Sequence, residues 1–412
     1  MKRVAFVGRL LLLVVLLAFT IIGIFYLFAP VYDFKTPQQF SGDLIYNPYQ
    51  NIDSTTWKKA NFHCHTTASD GHDKLEVVQK AYRSYGYDIL AVSDHNLITN
   101  QGLPVQEEIP TYEHGINISK YHSVVMGAKR SSIFDFVLLS TESNRFYTLK
   151  WLRTQGDIVV FDHPDRTRWL EPEDVKNLTY YDMMEVERGF TDGVLSYYDE
   201  ALSHGHYSFV LASDDCHEVG DPKRFARAAT FVSTPTKRYK DIKNALLSGH
   251  NFALTIPAFN DSSYRIWRHF HLPKIRSLTL NNDTVNLTLT EPATIKVFGH
   301  SGIMQNEYIA TTEAKVPFLK TDTYLRFAAI FSDSVTLYTN PIARYKGGAF
   351  PVFQDTSSVN YPLTVLYILG VSLIVLLSLF LFFLVLVRTL PARFYQKVKR
   401  NSVPRQYASS EN

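Results

Sequence analysis

The sequence predicts an α/β protein: a distorted seven-stranded βα barrel, then a small β-sandwich, with a transmembrane helix at each end. Three observations predict it. Two long uncharged apolar runs stand near the termini, short apolar runs alternate with amphipathic stretches over 60–257, and strand-like alternation takes over after Pro257. With 412 residues, 46% hydrophobic and 20% charged, the chain is a folded protein long enough for two or three units.

The first apolar run, 10–28, has roughly the 20 residues needed to cross about 30 Å of hydrocarbon. Lys2, Arg3 and Arg9 precede it, and Ile24-Phe25-Tyr26-Leu27-Phe28 lacks a small-x-small cleavage pattern, so 10–29 is expected to be an uncleaved anchor behind a cytoplasmic segment 1–9. The second run, 363–387, carries no charge before Arg388. After it come Arg388, Arg393, Lys397, Lys399, Arg400 and Arg405, so the positive-inside rule puts the tail 388–412 in the cytoplasm. The expectation is therefore a two-span protein with a lipid bilayer as partner, both ends inside and 30–360 outside the cytoplasm. A net charge of +3 points to no nucleic-acid partner, because polyanion binding needs a concentrated basic face.

After a linker over 30–59, candidate strands fall at 60–64, 88–93, 109–113, 121–127, 157–162, 182–187 and 208–213. Between them, 74–85, 144–154 and 194–203 show 3.6-residue spacing, and Gly86 and Gly156 close two of these helices. This order predicts a parallel sheet wrapped by helices. An open doubly wound sheet is the alternative to a barrel, since periodicity does not say whether a sheet closes. The segment 258–350 is expected to form the β-sandwich, a spacer with no chemical cluster.

Four segments end candidate strands with metal-ligand residues. They are His63-Cys64-His65 followed by Ser69-Asp70-Gly71, then Ser93-Asp94-His95, Asp162-His163-Pro164 and Asp214-Asp215-Cys216-His217. Side chains alternate along a strand, so His63 and His65 share a face while Cys64 points away. Imidazoles and carboxylates together suit zinc, iron or manganese, and a bridging carboxylate lets two ions share a water. Barrels and open α/β sheets both place their sites at the C-terminal ends of strands.

At these residues the chain resembles the PHP superfamily, named for polymerase and histidinol phosphatase, over about 60–255. The first motif of that family matches His63, His65 and Asp70, and the second matches His95 beside Asp94. Glu113 and His122 fill the third, although Thr111-Tyr112 stands where a glycine usually precedes the glutamate. His163 fits the His-Pro motif, and Asp215 with His217 the last. The resemblance implies two or three divalent ions (Mn, Zn or Fe). One would take His63, His65, Glu113 and Asp215, a second would share Glu113 and add His122 and His163, and a third would use Asp70, His95 and His217.

Such ions lower the pKa of bound water from about 15.7 to about 7 and neutralise the oxygens of an attacked phosphate. The expected activity is a membrane-anchored phosphoesterase acting on a small phosphorylated substrate. Water bound to the metals is the expected nucleophile, with Asp94 a candidate catalytic group. Hydrolysis of amides, carbamates or carboxylic esters is one alternative, and a non-catalytic envelope module that keeps metals or another ligand is a second. Arg166, Arg188 and Arg224 are candidates for gripping phosphate oxygens, because guanidinium forks match that geometry. Glu185 and Glu187 share a face of their candidate strand and one or both could face the site, but such carboxylates more often support ligands or pair with helices, and they are left off the ligand list. Cys64 and Cys216 each sit inside a ligand pair, facing away from the metals, either as buried thiols or as a disulfide between neighbouring strands.

Overall fold

The computed structural model describes residues 2–187, 194–351 and 353–389. In chain order the elements begin with α1 (Lys2–Tyr26), β1 (Tyr32–Phe34), β2 (Leu44–Tyr46), β3 (Trp57–Asn61), α2 (Leu75–Ser84), β4 (Ile89–Leu90), β5 (Thr111–His114) and β6 (Ser123–Met126). Next come α3 (Glu142–Leu152), β7 (Ile158–Phe161), β8 (Met183–Glu187), α4 (Val194–Ser203), β9 (Phe209–Ala212), β10 (Ala228–Ser233), α5 (Tyr239–Leu247), β11 (Asn251–Thr255) and α6 (Ser262–Phe270). The last are β12 (Ile275–Asn281), β13 (Thr284–Phe298), β14 (Met304–Pro317), β15 (Tyr324–Phe331), β16 (Thr336–Thr339), β17 (Ile342–Tyr345), β18 (Ser357–Val359) and α7 (Tyr361–Thr389).

The chain divides into two compact units, 1–32 with 359–412 and 33–358. In the first, Val4–Tyr26 and Tyr361–Thr389 are long and apolar enough to cross a membrane. They meet through buried hydroxyls: Thr20 Oγ1 lies 3.0 Å from Ser378 Oγ, and Ser378 Oγ donates to the Leu16 carbonyl at 3.0 Å. Each hydroxyl is thereby satisfied within the helix pair, as an apolar surrounding requires. Of the basic tail, Arg393 and the residues beyond it lie outside the described residues.

In the second unit the expected helices form where their local signals lie. Glu76 and Arg83 complement the dipole of α2 at its two ends. Gly86 then turns the chain at φ +73°, where a Cβ would strike the Phe270 ring. At α3 a capping box satisfies two backbone donors: Thr141 Oγ1 accepts from Asn144 N, and Asn144 Oδ1 accepts from Thr141 N.

The sheets depart from expectation. An eleven-stranded sheet runs β12-β13-β15-β16-β11-β10-β3-β4, with β14 on β13, β17 on β15, and β2 on β17. A separate five-stranded sheet runs β5-β6-β7-β8-β9. No sheet closes among the described residues, so the seven-stranded barrel is not formed as a continuous ladder. The reason lies at β3, whose residues 57–61 pair with β10 on one side and β4 on the other. Only beyond its end does the chain meet the continuation of β9, through the single parallel bridge Cys64–Cys216. A second lone bridge, His95–Glu113, joins the ends of β4 and β5.

The five-stranded sheet is also not all parallel. β7, β8 and β9 run parallel, but β6 is antiparallel to both β5 and β7, because the short 115–122 connection has no room for a crossover. The expected break at 257 is not a break in the sheet, since β11 pairs with β16. The region assigned to the sandwich opens instead with the helix α6, and β10, α5 and β11 were not anticipated. Asn340 bonds this junction: its Nδ2 donates to the carbonyls of Gly249 and Asn251, and its Oδ1 accepts from Val210 N.

Candidate metal centre

The strand ends of both sheets deliver their polar side chains to one place. His63 and His65 follow β3, His95 follows β4, Glu113 lies in β5, His122 precedes β6, His163 follows β7, and Asp215 and His217 follow β9. Antiparallel β6 explains why His122 stands before its strand while the others stand at or after theirs. Left-handed backbone at His163 (φ +26°), Asp215 (φ +47°) and Asn96 (φ +52°) clusters here, a strain that side chains other than glycine tolerate where the surroundings dictate it.

Glu113 is the centre. Its Oε2 lies 3.3 Å from His63 Nε2, 3.1 Å from His65 Nε2 and 3.4 Å from His95 Nε2. Its Oε1 lies 2.7 Å from His122 Nδ1 and 3.2 Å from His163 Nε2. Asp215 Oδ1 closes the first side, 3.3 Å from His63 Nε2 and 3.2 Å from His65 Nε2. On the open side Asp70 Oδ2 lies 3.2 Å from His217 Nε2 and 3.6 Å from His95 Nε2. His63, His65, Glu113 and Asp215 therefore form one compact buried group, with His65, Asp70 and His95 and then His95, Glu113 and His122 beside it.

These residues fit a metal. Nε2 of His63, Nε2 of His65 and Oε2 of Glu113 are buried and crowded together, yet none makes a hydrogen bond among the described residues. Their lone pairs converge on shared space rather than on one another, which costs free energy unless a cation fills it. The electrostatics point the same way. Burial alone would depress His63, but Glu113, Asp215 and Glu185 hold it well above its usual range. Burial likewise opposes the charge on His65, and Asp215 with Glu113 still lifts it to about 9. Burial would raise Glu113 and Asp215, but the surrounding imidazoles hold both carboxyls well below the usual range. Burial lowers His163 to about 3, leaving it neutral and ready to donate a lone pair.

Two supporting carboxylates stand outside the expected ligand set. Glu185 Oε1 lies 3.2 Å from His63 Nδ1, and its Oε2 accepts from the His163 backbone N–H at 3.1 Å, so one side chain orients two imidazole residues. Asp162 is fully buried beside it and could join His63 and Glu185 around a cation. The available signal for Glu185 was its place in the apolar run Met183-Met184-Glu185-Val186, where a carboxylate needs a reason to be inside.

The Asp94 carboxylate is engaged by neighbouring loops. Its Oδ1 accepts from Thr66 N and Ser69 Oγ, and its Oδ2 from Thr66 Oγ1 and Thr99 Oγ1, so its oxygens are spent holding the loop that carries Asp70. Asp214 is structural in the same sense, accepting from Tyr82 Oη and Ala226 N, with burial raising it to about 7. Arg166 does reach the site, donating to Asp215 Oδ2 from a partly exposed position. Arg224 is exposed, with its Nε 4.0 Å from Asp221 in its own turn. Arg188 lies outside the described residues, as does the side chain of Glu187. Cys64 and Cys216 are free thiols with no disulfide between them, buried in the apolar core.

No protein-family model and no curated protein matches the chain. Among solved structures it is similar to a two-domain protein from Bacteroides vulgatus containing a predicted PHP-like metal-dependent phosphoesterase, at 17% identity and a TM-score of 0.39, over 74% of this chain and 99% of that one. It is also similar to PsfC from Pseudomonas syringae, at 13% identity and a TM-score of 0.35, over 52% of this chain and 97% of that one.

Proposed function

We propose that this protein is a metal-dependent phosphoesterase anchored in a membrane, with His63, His65, Asp70, His95, Glu113, His122, His163, Asp215 and His217 holding two or three divalent ions. The observation that carries the reading is the split carboxylate of Glu113, whose two oxygens face different sets of imidazoles. A carboxylate so placed can serve two ions at once, which supports a multinuclear centre.

When bound, divalent ions supply Lewis acidity toward phosphoryl oxygens and activation of water near neutral pH. The chain's own residues do the rest. Glu185 fixes the ring of His63, Asp94 fixes the loop bearing Asp70, and Arg166 is held beside the centre by Asp215 with further N–H donors for a phosphate oxygen. Asp70 is exposed and His95, His122 and His217 are only partly buried, so the centre opens on their side. Two helices of sufficient length and apolarity support the anchor, and the positive-inside pattern supports a site on the far side from the cytoplasm.

Metal content and hydrolysis of phosphomonoesters, phosphodiesters and aryl carboxylic esters, measured together on the full chain and on Glu113→Gln, test this reading. Wild type is expected to carry at least two ions and to cleave a phosphoester. The variant is expected to lose more than one ion per chain and at least about a hundredfold in rate, the cost of losing one preorganised electrostatic contact to the transition state, here the contact made by the ions that Glu113 would hold. A wild-type protein that binds metals and turns over only carbon esters would sink the proposal.

A further inference from the structure

Three hydrogen-bonded loops around the centre expose apolar side chains that an enzyme for a small polar phosphate does not need. Leu97, Ile116, Ile118 and Trp169 are all large and between 43% and 60% exposed. Leu97 stands two residues after His95, Ile116 three residues after Glu113, and Trp169 three residues after Arg166. The loops are tied together near the ligands. Asn96 N donates to the Glu113 carbonyl at 2.8 Å, Arg168 N to the Ser119 carbonyl at 2.6 Å, and Thr167 Oγ1 to the Lys120 carbonyl at 3.2 Å.

Single exposed apolar residues are ordinary on any protein surface. The pattern at 116–119 is not. Ile-Asn-Ile-Ser there turns both isoleucines outward and buries Asn117 and Ser119, the reverse of what water favours. The inversion is held by bonds: Asn117 Nδ2 donates to the Tyr121 carbonyl and to Asp135, its Oδ1 accepts from Ser119 Oγ, and Ile116 N donates to Asp135. Trp169 is fixed just as deliberately, with left-handed backbone at φ +59° and its carbonyl accepting from Arg145.

We infer that the substrate of this centre is an amphiphile: a phosphate ester whose apolar chain lies on the rim formed by Leu97, Ile116, Ile118 and Trp169 while its phosphate meets the metals. The inference rests on the phosphoesterase reading and names its substrate class. The place of these four side chains on the loops that carry His95, Glu113, His122 and Arg166 selects the occupant. Ligand-bearing loops present hydrocarbon to whatever is attached to the phosphate, and Arg166 and the ions complement the anion at its head.

The test uses the full chain in lipid nanodiscs, loaded with manganese, and titrates it with ethylphosphonate and octylphosphonate. Octylphosphonate is expected to bind at least about tenfold more tightly, since full burial of one methylene is worth about fourfold and an open rim covers only part of the chain. In Ile116→Ser/Ile118→Ser/Trp169→Ser the ratio of the two affinities falls toward one, which also corrects for partition of the probe into the disc. Trp169→Ser alone, with matching metal content and Tm, lowers the ratio if the triple variant does not fold. Equal affinities in wild type, or a ratio that survives the substitutions, overturns the inference while leaving a phosphate site standing. Failure of both phosphonates to bind overturns the phosphoesterase reading as well.

Discussion

Asp94 shows how far a residue's neighbours decide its role. In the sequence it is one more acid beside a histidine at a strand end. In the fold all its accepting capacity is taken by Thr66, Ser69 and Thr99. Glu185 makes the opposite case, absent from the expected ligand list yet bonded to His63. The histidines and Asp215 were legible because a motif places them locally, whereas Glu185 and Asp162 matter only through partners distant in sequence. His206, away from the centre, carries a testable pH dependence. Burial depresses it to about 4, and its Nε2 bonds the Lys176 carbonyl. The unfolded chain takes up this proton near pH 6.5 and the folded chain resists it to about 4, so its contribution is complete above 6.5 and is lost as pH falls across that window. That contribution is up to about 3 kcal/mol. In thermal unfolding from pH 7 to 4, His206→Gln is expected to lose less stability than wild type, and parallel curves would show that His206 does not contribute the slope.

At the scale of elements, α2, α3 and α4 were located to within two residues because amphipathic spacing and helix-end signals are local properties. α4 occupies the expected 194–203, and α2 and α3 differ by only a residue or two at each end. Sheet partners were not legible, because pairing joins residues far apart in sequence. The edge of β3 taken by β10 is the clearest instance. Elements of the second unit are also locked by charge. Arg326 on β15 donates from Nε and Nη2 to both oxygens of Asp199 on α4, and the pair is almost wholly buried. Asp199→Ala leaves that guanidinium buried and unpaired, so a loss of about 3–5 kcal/mol is expected by urea denaturation. Asp199→Asn keeps one acceptor and should lose less. A loss under about 1 kcal/mol for Asp199→Ala would mean that the pair does not tie helix to sheet.

On the scale of the whole molecule, two terminal helices bracket a single unit of 33–358. If both span a bilayer, alkaline carbonate should leave the full chain in the membrane pellet, and deleting residues 1–29 should not release it, because 361–389 still holds it. Release of the full chain by carbonate would remove the anchor from the proposal. The sequence by itself determined the two apolar helices, the positions of the strands and helices from β3 to β9, and the histidines and acids at the strand ends. Each of these depends on composition or spacing within a few residues. Only the tertiary structure decided that the strands divide between two sheets and that β6 runs backwards. It also decided that Glu113 turns one oxygen to each side of the centre, and that isoleucines face outward beside it. Those are outcomes of packing, in which hydrogen bonds and burial between distant segments outweigh local preference.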